Sequence, residues 1–376
     1  MDSFAGCAIR DCFTDLPDPR IERAKRHDLL AVVTIALCAV ICGADSWVEV
    51  ERFGRAKRAW LETFLPMPNG IPSHDTFGWV FAALDPAAFA RSFLGWAQAL
   101  VTATDGAVVA IDSKTLRRSH DRTHDREALH LVSAWSTANG VVLGQVATDD
   151  RSNEITAISA LLDALALEGT VVTIDAMGCQ TAFARQIVAG GGDDVLALKD
   201  NQPTLRELVA HHFAVTATLP DPGQTRRRTV GKDHGRIEIR TCQATNNPRV
   251  LAWLDPERRW PGRRSIAAVT GERRIGDQTT IQTRYYLTSL PADPRQIGEA
   301  VRAHWGIENG LHWVLDMAFR EDESRVRTGH AAQNLAVLRR LALTLLRRGT
   351  TAKVGVKAKR LMCSWDETYL APVLAA

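Results

Sequence analysis

The sequence predicts an α/β protein in which a mixed sheet flanked by helices carries a β-rich insertion and follows an all-α N-terminal domain. Three observations support this. AVVAID at Ala107–Asp112 and TVVTID at Thr170–Asp175 are apolar, largely β-branched runs that each end in Ile-Asp, as buried central strands read when both faces are covered. Apolar residues at helical spacing dominate the first hundred positions. Strongly charged, strand-like segments separated by Pro and Gly occupy about 219–291. The expected organisation is a helical domain over 1–103, an α/β domain over 104–350 that carries the β-rich insertion at about 219–291, and a basic C-terminal tail over 351–376.

From the N-terminus, the basic cluster Arg20, Arg23, Lys25, Arg26 and His27 leads into an apolar helix at 29–43 that Gly43 stops. A second amphipathic stretch runs from Ser46 to Leu65. The Pro and Gly of LPMPNGIPSHDTF break it, and helical spacing resumes from Thr76 to Ala99 with Phe77, Phe81, Phe89, Phe93 and Trp96. Rings at that spacing are expected to pack together in a core.

From Ala107 the period changes to that of strands. The first strand is followed by Leu129–Ser136 and Gly140–Thr148, and the Asn139-Gly140 pair between them signals a hairpin. A helix capped by Ser152 or Asn153 turns Leu161, Leu162 and Leu165 inward. The second Ile-Asp strand comes next, then a helix at about Gln180–Ala189, a strand at Asp194–Lys199 and a helix from Thr204. Three strands in meander followed by alternating helix and strand is the order of an RNase H-like domain, which sets one carboxylate on its first strand beside another on its fourth. RIEIRTCQAT, RVLAWL, SIAAVTGERR and TIQTRYYLTSL then read as the strands of the insertion. From Ile297 a helix runs through GEAVRAHWGIENGLHWVLDMAF with Gly310 in its middle, and a long basic helix spans Ala331–Arg348.

A 376-residue chain with 45% hydrophobic and 24% charged residues has an ordinary globular composition and room for two or three domains. The net charge of +3 hides a local asymmetry: Arg325, Arg327, Arg339, Arg340, Arg347, Arg348, Lys353, Lys357, Lys359 and Arg360 occur with no acidic residue among them. Such a field attracts polyanions, nucleic acid first. Seven cysteines without a CxxC pair argue for a reducing compartment and against a disulfide framework or zinc knuckle. Cys38 and Cys42, one turn apart on an apolar segment, read as buried hydrophobes. The apolar run Leu29–Ala44 is shorter than the ~20 residues a bilayer needs, and it lies too far along the chain for a signal peptide. The expected location is cytoplasmic, at the nucleoid, with no membrane partner.

The chemistry-bearing residues are Asp112 and Asp175 at strand ends, where open α/β sheets place their sites, and Glu308. At ~100° per residue His304, Glu308 and His312 share one helical stripe. A carboxylate flanked by imidazoles, near two aspartates, suits a hard divalent cation that keeps positions open for phosphate oxygens. Two such ions together activate a nucleophile and stabilise a leaving oxygen. Asp316, Glu321, Asp322 and Glu323 are rivals for the third carboxylate; the stripe favours Glu308. Lys114, Lys199, Asn201 and Gln202 near the same sheet edge, His304 and His312 beside Glu308, and Arg339 and Arg340 on the basic helix are candidate DNA contacts, as are Arg226, Arg227, Arg228, Arg258, Arg259, Arg263 and Arg264 around the insertion. The alternative for each charge run is a solvated face. Trp305 and Trp313 are expected to pack in the core.

The strings AIDSKTLRRS, LHLVSAWS, SNEITAI, TIDAMGCQ, DVLALKDNQ, HGRIEIR, RYYLTSL and HWGIENGLHWVLDMAFRED resemble the transposases of H-repeat-associated insertion sequences, and HDLLAVVTIALCAVICGADSW with PSHDTF resembles that group's accessory N-terminal domain. The resemblance covers about Asp15 to Arg348. It implies a DDE-type enzyme with an RNase H-like core, two Mg²⁺ (or Mn²⁺) ions, and metal-dependent cleavage and strand transfer at the ends of an element. Its triad falls on Asp112, Asp175 and Glu308. The implied partners are double-stranded DNA, as terminal inverted repeats and target, and further copies of the chain in a dimer or larger assembly on paired ends. Two positions depart from the pattern. Ser113 stands where glycine usually follows the first aspartate. The Tyr-x2-Arg-x3-Glu-x6-Lys signature of relatives with a β insertion meets Val301, His304, Glu308 and Leu315, keeping only the Glu. These departures keep two alternatives open: a catalytically inactive DNA-binding relic, and a structure-specific nuclease on the same fold.

Overall fold

The computed structural model describes residues 13–100, 106–120, 127–148, 154–219, 221–233 and 235–375. Helices α1 (Leu29–Ile41), α2 (Trp47–Ala56), α3 (Arg58–Leu61), α4 (His74–Ala83) and α5 (Pro86–Leu100) come first. Strands β1 (Ala107–Thr115), β2 (His130–Ser136) and β3 (Val141–Thr148) follow. Then come α6 (Glu154–Ala164), β4 (Thr170–Ile174), α7 (Thr181–Ala189), β5 (Asp193–Leu198), α8 (Pro203–Val215), β6 (Gln224–Asp233), β7 (Arg236–Thr245), α9 (Pro248–Leu254), β8 (Ser265–Ile275) and β9 (Gln278–Thr288). The chain ends in α10 (Pro294–Ile307), a π-helical turn (Glu308–His312), α11 (Trp313–Phe319), α12 (Ala331–Arg348), α13 (Val356–Trp365) and α14 (Glu367–Leu374). The strands form a mixed sheet in the order β3-β2-β1-β4-β5-β9-β8-β7-β6. By packing, the chain divides into two compact units: Met1–Thr102 with Ser113–Ala157 and Glu308–Ala376, and Ala103–Asp112 with Ile158–Ile307.

In the first unit, α1 begins where Asp28 accepts from the Ala31 N–H at 3.0 Å. It is apolar and buried all round, which is how a helix in a core reads. No helix among the described residues is long and apolar enough to cross a membrane. Ser46 and Glu49 form a reciprocal capping box on α2. The stretches expected to be single helices are each divided, at Lys57 and at Leu84–Asp85. The aromatic residues do pack in the core: Phe77, Phe81, Phe89 and Phe93 are fully buried, and Trp47 stacks on Phe81 at 4.8 Å between ring centres. The β2–β3 hairpin closes through Gly140 at φ +63°, the left-handed conformation that Asn-Gly turns demand. The cap expected at Ser152 or Asn153 lies outside the described residues.

The basic C-terminal stretch is folded inward, because its charges terminate helices. Lys359 donates to the Leu346 and Gly349 carbonyls at 2.8 and 2.5 Å, closing α12. Arg360 donates to Val40 O at 2.8 Å and to Ala318 O, the ends of α1 and α11. Cationic donors suit the orphan carbonyls and negative dipole of a helix C-terminus. Burial lowers the Arg360 pKa to about 10, with Asp45 partly compensating. The segment expected as a tail is therefore two helices, with Lys359 and Arg360 buried.

In the second unit β1, β4 and β5 run parallel, and β9 joins β5 antiparallel through Val195↔Thr288 to Leu198↔Tyr285. The β-rich segment thus extends the same sheet. RVLAWL, read as a strand from its apolar run, is helix α9: Pro248 occupies its first turn and Asn247 caps it by accepting from Arg249 N at 3.0 Å. Helix α10 covers one sheet face, its Ile297, Ala300 and Val301 packing with Val171, Val195, Cys242, Ala244, Ala267 and Tyr286.

Candidate active site

The parallel register pairs Ile111 with Ile174, so Asp112 and Asp175 are the next residues on adjacent strands, which lie about 4.8 Å apart. Both are half-buried. Backbone alternation within β1 gives Asp112 the face of Ala110, which is paired with Thr173 of β4. On that face Thr173 Oγ1 meets His304 Nδ1 of α10 at 3.0 Å.

Asp175 is fixed by the turn it starts. One of its oxygens accepts from Met177 N at 3.0 Å, capping the 3₁₀ turn Ala176–Gly178. Gly178 is required there, since a Cβ would lie 2.0 Å from Ile174 Cγ2. The loop after β5 buttresses the turn: Asn201 Nδ2 donates to Ala176 O, and Gln202 Nε2 donates to Cys179 O at 3.1 Å. These two amides, candidates for phosphate contact from sequence, hold the backbone behind Asp175. Lys199, one residue past β5, is exposed.

Glu308 opens the π-helical turn and is exposed. His304, Glu308 and His312 do not present one exposed stripe: Glu308 is exposed, His304 half-buried and His312 buried. His304 bonds Thr173. His312 is 5% exposed. The π turn is packed against residues distant in sequence. Gly310 lets it approach Trp135, where a Cβ would stand 3.1 Å from the indole. Arg347 donates to the Gly310 carbonyl at 2.6 Å while lying 4.9 Å over the Trp135 ring.

The rivals of Glu308 are engaged in ion pairs. Lys114 Nζ contacts Asp316 Oδ1, Glu321 Oε2 at 3.4 Å and Asp322 Oδ1 at 3.6 Å, with its side chain 10% exposed. Glu323 pairs with Arg320. Glu321 and Arg340 meet at 2.8 Å. Burial pushes the Glu321 carboxyl up, but Arg340, Lys114 and Arg339 outweigh it and hold the pKa at about 2. Three of the candidate DNA contacts, Lys114, Arg339 and Arg340, lie in or beside this network. The Lys114 ammonium is turned onto carboxylates, and Arg339 and Arg340 are 2% and 0% exposed because α12 is a core helix. The composition signal misled here: of the ten basic residues, Arg325, Lys353 and Lys357 are the exposed ones.

Around the insertion, Arg226, Arg228, Arg258, Arg259 and Arg264 are exposed, whereas Arg263 bonds Leu251 O at 2.7 Å at the end of α9. Trp305 and Trp313, expected in the core, are 45% and 60% exposed, and the Arg284 guanidinium lies 4.4 Å over the Trp305 ring.

The donor chemistry at the strand ends, two adjacent carboxylates without sulfur, fits a hard divalent cation. Among the described residues no three His, Cys, Asp or Glu side chains are gathered closely enough to hold a metal ion.

The "Transposase DDE domain" family profile matches residues 103–345, and the "DDE_Tnp_1-associated" profile matches residues 10–97. The chain is 39% identical to "Putative transposase YncI" of Escherichia coli O157:H7, over 98% of this chain and 95% of that protein. It is 36% identical to "H repeat-associated putative transposase YhhI" of Escherichia coli K12, over 96% of each. Among solved structures, a piggyBac transposase synaptic complex with hairpin DNA aligns with TM-score 0.43 and 10% identity, covering 98% of this chain and 77% of that one.

Proposed function

The chain belongs to the transposase DDE-domain family, and from that membership we propose that it cuts and joins DNA at the ends of an insertion sequence, with Asp112, Asp175 and Glu308 as its catalytic carboxylates. The observation that supports the reading is the Ile111↔Ile174 register of two parallel neighbours, after which Asp112 and Asp175 are the next residues. Glu308 is favoured as the third member because it is exposed, whereas Asp316, Glu321, Asp322 and Glu323 are engaged in ion pairs. An RNase H-like core is supported by the strand order β3-β2-β1-β4-β5 with β1, β4 and β5 parallel.

Two Mg²⁺ or Mn²⁺ ions, when bound, would supply Lewis-acid charge to the attacked phosphate and to the attacking and leaving oxygens. The chain's part is to hold the carboxylates still. Asp175 commits one oxygen to capping its own turn, and the Asn201 and Gln202 amides hold that turn through the Ala176 and Cys179 carbonyls. In the first step water adds to the terminal phosphodiester and a 3′-hydroxyl leaves. In the second, that hydroxyl attacks a target phosphodiester and displaces a new 3′-hydroxyl. The DNA is double-stranded, as element ends and target, held by a dimer or larger assembly at the nucleoid. Exposed Lys199 is the best-supported phosphate contact on this sheet edge.

The test is cleavage of a duplex carrying the element's terminal repeats by purified protein with Mg²⁺ or Mn²⁺. Asp112→Ala, Asp175→Ala and Glu308→Ala should each abolish cleavage and leave DNA binding intact. Full cleavage by Asp175→Ala refutes the assignment, and cleavage of unrelated duplexes with equal efficiency would make the protein a general nuclease instead.

A further inference from the structure

Lys114 lies two residues after Asp112 on β1, and Asp316 lies eight residues after Glu308 on α11. Their direct contact joins the backbone just past one proposed catalytic carboxylate to the helix just past another. The junction is partly buried: side-chain exposures are 10% for Lys114, 32% for Asp316 and 0% for Glu321. It is also braced from a third element. Glu321 reaches Lys114 with one oxygen and Arg340 of α12 with the other, and Arg340 Nη1 further bonds Ala336 O at 3.1 Å. Asp322 closes the cluster on the strand side, contacting Lys114 at 3.6 Å and Arg117 at 3.3 Å.

A lysine next to a strand-end aspartate in a DNA enzyme reads at first as a phosphate contact. A phosphate-binding lysine keeps its ammonium in water until the backbone arrives. This ammonium is surrounded by three carboxylates of its own chain. Freeing it would leave Glu321 with one cation fewer in a site without solvent, and breaking such a buried network is costly.

We infer that Lys114 is a positioning residue, whose bridge to Asp316 and Glu321 ties the β1 residues that follow Asp112 to the helical segment that follows Glu308. The inference rests on the proposed DDE chemistry for its catalytic consequence, and on the bridge alone for its structural one. Asp316 is the matching device on the far side. Its replacement acts through the same joint without touching the strand.

The experiment compares wild-type full-length protein with Lys114→Met, which keeps the aliphatic stem and removes the charge, and with Asp316→Asn, which leaves Lys114 its contacts with Glu321 and Asp322. Three quantities are measured: single-turnover cleavage at saturating terminal-repeat DNA, affinity for that DNA across a salt series in EDTA, and amide hydrogen exchange over 113–115 and 308–316. A misplacement near 1 Å costs about 10²-fold in rate, so both variants should cleave roughly 10–100-fold more slowly. DNA affinity and its salt slope should match wild type, and exchange should rise in both segments together. A salt slope smaller by about one with weakened binding in Lys114→Met would make it a phosphate contact and overturn the inference. Cleavage within twofold of wild type in both variants would also overturn it. If the wild-type protein itself does not cut DNA, the proposed function fails, while the exchange measurement still decides the joint: unchanged protection over 308–316 in Lys114→Met removes it.

Discussion

Arg340 and Glu321 meet at 2.8 Å with neither side chain exposed to solvent. The carboxyl is held at about 2 against the upward push of burial, so the folded state carries a charge that an unfolded chain would protonate near pH 4 to 5. A folded pKa below the unfolded one gives stability that is complete above the unfolded value and is lost as pH falls toward the folded one. Urea midpoints of the wild-type protein should therefore drop between about pH 5 and pH 2. Glu321→Gln should flatten that limb. Arg340→Met should cost about 3–5 kcal/mol at neutral pH by stranding a buried charge, nearer the lower figure because Lys114 remains beside it.

Asp175 both caps a turn and is proposed to act on DNA, and one substitution separates the two. Asn caps about as well as Asp, so Asp175→Asn should keep the bond from Met177 N and shift the thermal midpoint little. Cleavage should still fall by at least about 10²-fold, since the neutral amide supplies no charge where charge develops. A variant that unfolds early, or one that cuts normally, contradicts one half of this prediction.

Asn201 tests the difference between supporting the site and touching the DNA. Asn201→Ala removes the amide that Ala176 O and Cys179 O accept from, behind the Asp175 turn. The loss should be about 1 kcal/mol in stability and about 10–100-fold in cleavage rate, the usual scale for a partner that orients a ligating carboxylate. Binding measured against salt should be unchanged. If the salt slope falls by about one, Asn201 instead holds phosphate.

The two Ile-Asp strands were legible because a buried parallel strand has a plain signature, an apolar β-branched run with its first charge at the exit. The Asn139-Gly140 hairpin and the core rings were readable for similar local reasons. The π turn at Glu308–His312 was not, since it arises from Gly310 closing on Trp135 and from Arg347 on the Gly310 carbonyl, partners 175 and 37 residues away. The C-terminal charges misled for the same kind of reason. Local sequence records that Arg340, Lys359 and Arg360 are cationic, but their partners, Glu321, the α12 carbonyls, Val40 and Ala318, are set by tertiary packing. Asn201 and Gln202 carried a signal that could have been read: two amides directly before the Pro203 start of a helix, at the edge where Asp175 emerges, are well placed to satisfy loop carbonyls.

Asp194 gives the opposite pH dependence to Glu321 and so separates the two effects in one protein. It sits on β5, 3% exposed, and burial pushes its carboxyl up to about 7 while the Ser289 N–H, donating to Oδ1 at 3.2 Å, pulls it part of the way back. Between the unfolded value near 4 and the folded value near 7, the native protein holds a proton that the unfolded chain has released, so stability falls as pH rises through that window. Asp194→Asn keeps an oxygen for Ser289 N and has no proton to lose. It should match the wild-type protein near pH 4 and exceed it above pH 7 by an amount on the order of 2–4 kcal/mol. Paired urea melts at pH 4 and pH 8 read this directly. Equal stability of the two proteins at pH 8 would mean that Asp194 ionises in the folded state at no cost, with its charge satisfied by the Ser289 N–H despite the neighbouring Asp193.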